Sequence, residues 1–98
     1  MSGRFGLKPA EVEQLREVFY QYPAVKRVIV YGSRAKGTHR PGSDIDITIV
    51  GEVDWYTVNQ LSERLDDLLL PYQIDLSVLN HIDNPELKAH IERVGQPL

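Results

Sequence analysis

The strongest constraint on this chain lies in residues 31–48, which read YGSRAKGTHRPGSDIDIT. The stretch leaves one apolar run, residues 25–31, and ends inside another, residues 43–50. Between them fall three glycines, the basic residues Arg34, Lys36 and Arg40, and two serines. Then come Asp44 and Asp46, one residue apart. A short β-branched run that stops at a glycine reads as a strand. The fold must therefore fit a sharp turn, a loop and a second strand into these few residues. Two residues apart on a strand, Asp44 and Asp46 leave the same face, about 7 Å apart along the backbone. Their mutual repulsion is a cost unless a cation offsets it. Hard divalent cations such as Mg²⁺ take oxygen ligands and keep positions open for phosphate oxygens. Taken alone, an Asp-x-Asp is more simply a solvated strand end, so the rest of the chain must decide.

With 98 residues there is room for one domain, expected to span 1–98, and for one shared core. The absence of cysteine excludes disulfides and thiolate metal sites and fits a reducing, cytoplasmic setting. A formal net charge of −3 argues against a sequence-independent nucleic-acid binder, though not against a local basic patch. The first residues lack the apolar segment of a signal peptide. No apolar run approaches the roughly 20 residues needed to span a bilayer, so no membrane partner is expected.

Residues 1–6 read as a mobile lead-in. Pro9 with Glu11 and Glu13 suits a helix start, and Val12, Leu15, Phe19 and Tyr22 form its stripe up to Pro23. A strand over 25–31 follows. A short helix over 33–36, with Ser33 near its N-cap, ends at Gly37. Residues 38–42 are loop, and 43–50 a second strand. Asp54 caps a third helix whose stripe is Val58, Leu61, Leu65 and Leu68, stopped by Pro71. Residues 72–79 alternate through Ile74, Leu76 and Val78, which turns Asp75 and Ser77 to the other face of a third strand. Asn84-Pro85-Glu86 opens a last helix, with stripe Leu87, Ile91 and Val94, that ends at Gly95. The expected class is α/β (α+β), with a mixed sheet of at least three strands flanked by helices.

Three features favour chemistry over a solvated strand end. Asp75 is a third acid at a strand position where propensity disfavours it. The Gly32-Ser33 turn can face backbone N–H groups to phosphate. Arg34, Lys36 and Arg40 lie between the two halves, and their charge suits phosphate. Competing motifs fail: after Gly32-x4-Gly37 a Walker loop needs Lys and Ser or Thr, where Thr38 and His39 stand. An EF-hand loop from Asp44 needs glycine where Ile49 stands.

Gly-Ser-Arg-Ala-Lys-Gly, then Ser43-Asp44-Ile45-Asp46, then a distant strand Asp75, resembles the signature of the DNA polymerase β nucleotidyltransferase superfamily. The similarity is to its minimal nucleotidyltransferases and covers nearly the whole chain. It implies the nucleotidyltransferase fold with the site at one edge of the sheet. It implies Asp44, Asp46 and Asp75 as catalytic carboxylates and ligands of Mg²⁺, with two ions expected. Asp75 is implied either as a ligand or as the group that helps deprotonate the acceptor. Gly32 and Ser33 are implied to contact the terminal phosphates of an NTP, with Ser43, Arg34 and Lys36 counted in the same nucleotide-binding set. The implied reaction moves a nucleoside monophosphate, AMP from ATP, onto an acceptor hydroxyl. The implied partner is a helical HEPN-domain protein in a hetero-oligomer, of which this chain resembles the antitoxin. The alternative is a non-catalytic subunit that binds nucleotide or the HEPN partner. His39 is weighed as a substrate contact but expected to be exposed. His81 and His90 are expected to be structural, and Trp55 and Tyr56 to pack.

Overall fold

The computed structural model describes residues 4–98. Eight regular elements run α1 (Pro9–Phe19), β1 (Arg27–Tyr31), α2 (Gly32–Lys36), β2 (Ile45–Val50), α3 (Trp55–Asp67), β3 (Ile74–Val78), α4 (Pro85–Val94) and β4 (Gln96–Pro97). Single 3-10 turns occupy Arg4–Gly6 and Leu79–His81. Of the lead-in expected over 1–6, residues 1–3 lie outside the described residues. Residues 4–6 form a 3-10 turn, and the Arg4 guanidinium donates to the Pro97 carbonyl.

The strands lie in the order β3-β2-β1-β4. β1 is antiparallel to both β2 and β4, while β2 and β3 are parallel, so the sheet is mixed. Parallel neighbours need a crossover, and α3 supplies it. β4 is the strand the sequence hid, because two residues including a proline, just past a helix-ending glycine, leave no alternation to read. Its proline sits where it is tolerated, at a sheet edge.

Alternation sorts the sheet into two faces. Val28, Val30, Ile45, Ile47 and Ile49 are buried on one face with Leu15 and Phe19 of α1 and Leu61 and Leu65 of α3, in a single core. The opposite face holds three cross-strand rows: Tyr31, Asp46 and Asp75; Ile29, Thr48 and Ser77; and Arg27 with Val50. There α4 lies beside β1, with Ile91 buried and Gly95 seated against Ile29. Ile45, Ile47 and Ile49 of β2 therefore fix the core face, while Asp46 and the buried Thr48 lie on the other.

The caps expected for α3 and α4 form. Asp54 accepts a hydrogen bond from the Thr57 N–H at 2.8 Å, and Asn84 accepts from Glu86 and Leu87. Two boundaries differ from the reading of the sequence. α1 stops at Phe19, ahead of Pro23, and α3 stops at Asp67, after which Leu69 takes a left-handed φ of 54°. Leu69 is also 87% exposed, so the apolar stripe stops a turn before Pro71. Among the described residues no helix is long and apolar enough to cross a bilayer.

Candidate active site

The site is a row of side chains across three strands. Tyr31 on β1 pairs with Asp46 on β2, which pairs with Asp75 on β3. Directly opposed residues share a face, so Asp75, 29 positions after Asp46, stands beside it. Asp44 precedes β2 and is exposed, as is Asp75; Asp46 is half-buried between them. The three acids singled out in the sequence are thus gathered along one edge.

Gly32 explains how close the turn comes. Its φ is +74°, and a Cβ built on it would collide with Oδ2 of Asp46. Any other residue would push the carboxylate away. Tyr31 ends β1 extended, Gly32 opens α2, and Gly37 closes it in the left-handed region, donating to the Ser33 carbonyl. Ser33 is half-buried in that turn, next to the acidic row. Ser43 shapes the other approach: its hydroxyl accepts from the Arg40 N–H at 2.9 Å.

Electrostatics follow the geometry. The Asp46 carboxyl is held above its ordinary range, first by burial and then by the charges of Asp75 and Asp44, with His90 opposing. The Tyr31 phenol is raised by burial, with a hydrogen bond to Ser77 opposing and the charges of Asp46 and Asp75 adding. His90, expected to be merely structural, reaches this edge from α4 and meets the Tyr31 ring edge-on at 6.2 Å. Nothing local announces it, since 44 residues separate it from Asp46; only the docking of α4 brings it there.

The donor set suits Mg²⁺. It is all carboxylate oxygen, and Asp46 bears like-charge repulsion from Asp75 and Asp44 that His90 only opposes. Among the described residues no three acidic or imidazole side chains form a ready-made metal cage. Mg²⁺ commonly binds through one or two carboxylates together with substrate phosphates. Asp44, Asp46 and Asp75 are the residues that would hold it.

Arg34 departs from expectation and is a correction. Its side chain is 3% exposed and does not reach toward the acidic row. Nε and Nη2 donate to the Ser43 carbonyl at 3.1 and 2.8 Å, and Nη1 donates to the Phe5 carbonyl at 2.8 Å. The guanidinium also lies 4.6 Å over the Tyr72 ring. It pins residue 43, and with it the approach to Asp44, to the N-terminal turn. Lys36 is exposed at the far end of α2 from Gly32. Trp55 and Tyr56, expected to pack, are 65% and 71% exposed. Trp55 stacks with His81 at 4.7 Å, beyond the opposite end of β2 from the acids.

A mixed sheet with a glycine-seated carboxylate row along one edge has the architecture of the nucleotidyltransferase fold. The family described as "Polymerase beta, Nucleotidyltransferase" matches residues 13–98, and the chain belongs to it. It is 38% identical over 63 residues to a Methanocaldococcus jannaschii protein named "Putative protein adenylyltransferase MJ0604". That match covers 64% of this chain and 58% of the relative's length. Among solved structures, one described as "Structure of putative minimal nucleotidyltransferase" superposes with a TM-score of 0.75 at 24% identity, covering 98% of this chain and 97% of that one. A toxin–antitoxin crystal structure with AMP-PNP gives 0.72 at 22% identity, covering 87% of this chain and 69% of that one. A tri-AMPylated Shewanella oneidensis HEPN toxin in complex with MNT antitoxin gives 0.67 at 18% identity, covering 90% and 68%. At these identities the superpositions establish the shared fold.

Proposed function

We propose that this chain is a Mg²⁺-dependent nucleotidyltransferase that moves AMP from ATP onto a hydroxyl, a tyrosine of a helical HEPN-domain partner, and so acts as the antitoxin of a pair. The observation that supports it most is the row of Asp46 beside Asp75 with Gly32 seated against the Asp46 carboxylate. A solvated strand end has no reason to exclude a Cβ in order to bring a backbone turn against an acid.

In the reaction the acceptor oxygen attacks the α-phosphorus, the bond from that phosphorus to the bridging oxygen of the β-phosphate breaks, and pyrophosphate leaves. The hydroxyl proton must go to a base. In this reading Asp75, exposed on the edge strand, either takes that proton or serves as a ligand of the ion. Asp46 and Asp44 hold the nucleotide side of the site, and the Gly32-Ser33 turn lets phosphate approach the backbone closely. Mg²⁺, when bound, neutralises phosphate charge and stabilises the leaving pyrophosphate. The relatives described as an adenylyltransferase, as an AMP-PNP complex and as an AMPylated HEPN toxin with its antitoxin support adenylate as the group and HEPN as the partner.

The test is transfer of label from α-labelled ATP, with Mg²⁺, to the partner encoded beside this gene. Label is expected on a partner tyrosine, and Asp46→Asn is expected to abolish it. ATP binding without transfer under several metals and nucleotides would instead establish a binding subunit.

A further inference from the structure

We propose that a cleft behind the acidic edge is a second anion site, built to take a phosphate group. Two adjoining cavities, of about 420 and 450 Å³, open beside α2 and residues 37–43 and share Gly6, Arg34 and His39. The first adds Arg4 and Lys36, and the second adds Tyr72. Among the described residues neither is lined by an aspartate or a glutamate. Yet the chain has 14 acids against 11 lysines and arginines. None of Asp44, Asp46 and Asp75 borders either cavity. The Tyr72 hydroxyl donates to Glu11 of α1 at 3.3 Å.

The walls are unbalanced in charge and in hydrogen bonding. Arg34 is buried, its hydrogen bonds end on neutral carbonyls, and N–H donors on both Nη atoms remain unengaged. Across the Tyr72 ring, Glu11 is already engaged by the Lys8 N–H at 2.8 Å and the Tyr72 hydroxyl at 3.3 Å. A buried cation without a bonded carboxylate carries a desolvation cost that an anion offsets. His39 Nδ1 is buried and has no hydrogen-bond partner among the described residues. The His39 ring fits only because Gly6, at φ +74°, has no Cβ to strike Nε2. Basic groups around a half-buried imidazole with a buried Nδ1 suit one oxyanion: phosphate accepts from guanidinium and ammonium, and it meets an imidazole nitrogen as donor or acceptor according to its own protonation. The phosphate can be free, as phosphate or pyrophosphate, or part of a nucleic-acid backbone.

The chain's three histidines make the test direct. His39 lines the cleft, His90 lies at the acidic edge and His81 beyond the far end of the sheet. Their imidazole NMR signals are followed at constant pH without divalent cations. Inorganic phosphate, pyrophosphate and a short oligoribonucleotide are titrated in turn, with chloride at matched ionic strength as reference. Saturable movement of His39 alone is expected, weakened at least about tenfold by Lys36→Ala or Arg4→Ala, each removing one charge-assisted contact. Saturation by the free anions assigns a small phosphate ligand. A response confined to the oligonucleotide, falling steeply with salt, assigns a backbone phosphate. A His39 response no larger than that to chloride overturns the proposal. So does one that moves His90 in step, or one unchanged in both variants. None of these readouts depends on nucleotidyl transfer.

Discussion

Alanine at Gly32 would set a Cβ against Asp46 Oδ2 in a backbone conformation that side chains resist. Gly32→Ala is expected to lower stability by about 1–3 kcal/mol, the range for a strained backbone position. Transfer should fall further than stability does, because the carboxylate is displaced; urea unfolding and the label-transfer assay check the two effects. Asp46 itself has a pH signature. Its carboxyl is raised when folded, by burial and then by Asp75 and Asp44, so between its ordinary range and that higher value the folded chain binds more protons than the unfolded one. Metal-free stability should therefore fall as pH rises through the folded value. Asp46→Asn should remove that slope and leave the metal-free protein as stable or more stable above it, read from unfolding curves at a series of pH values. A steep loss of stability in Asp46→Asn would mark the carboxylate as a structural support. Asp46 and Asp75 stood out because an acid in a strand contradicts propensity, and Asp44 because it stands two residues before Asp46. The burial of Arg34 was not, since its acceptors are the backbone carbonyls of Phe5 and Ser43, which no side chain announces.

At the scale of elements, the loop over residues 37–43 is held less by its own turns than by Arg34, which ties residue 43 to the N-terminal turn. Lysine keeps the charge but not the fork that reaches both carbonyls. Arg34→Lys is expected to destabilise by about 1–3 kcal/mol, the cost of leaving buried acceptors unpaired. Amide hydrogen exchange should quicken in residues 37–44 more than in β1. Helices α3 and α4 were legible because caps, prolines and stripes agree, and the structure keeps Asp54 and Asn84 as caps. β1 to β3 were legible from alternation, within about two residues at each end. β4 was not, because its partner, β1, is about 67 residues earlier and its length gives no period. Trp55 and Tyr56 were misread as packing residues because an aromatic pair at a helix start looks the same in sequence whether or not another element covers it.

For the molecule as a whole, β4 and the residue after it close the sheet. The Leu98 N–H donates to the Val28 carbonyl at 3.0 Å and its side chain, 4% exposed, lies in the core. Leu98→Ala is expected to cost about 2 kcal/mol, the low end for a buried leucine because the site lies at the sheet margin. A fall in the urea midpoint with an unchanged slope would check it. The parallel seam between β2 and β3 has a consequence during synthesis. The β1–β2 hairpin carries Gly32, Asp44 and Asp46 and is available as soon as residue 50 has left the ribosome. Asp75 arrives only after α3 has crossed over and β3 has found its register. A nascent chain therefore holds the turn and two acids early, without the third carboxylate beside them. On the proposed function, the site is complete only once β3 has docked against β2.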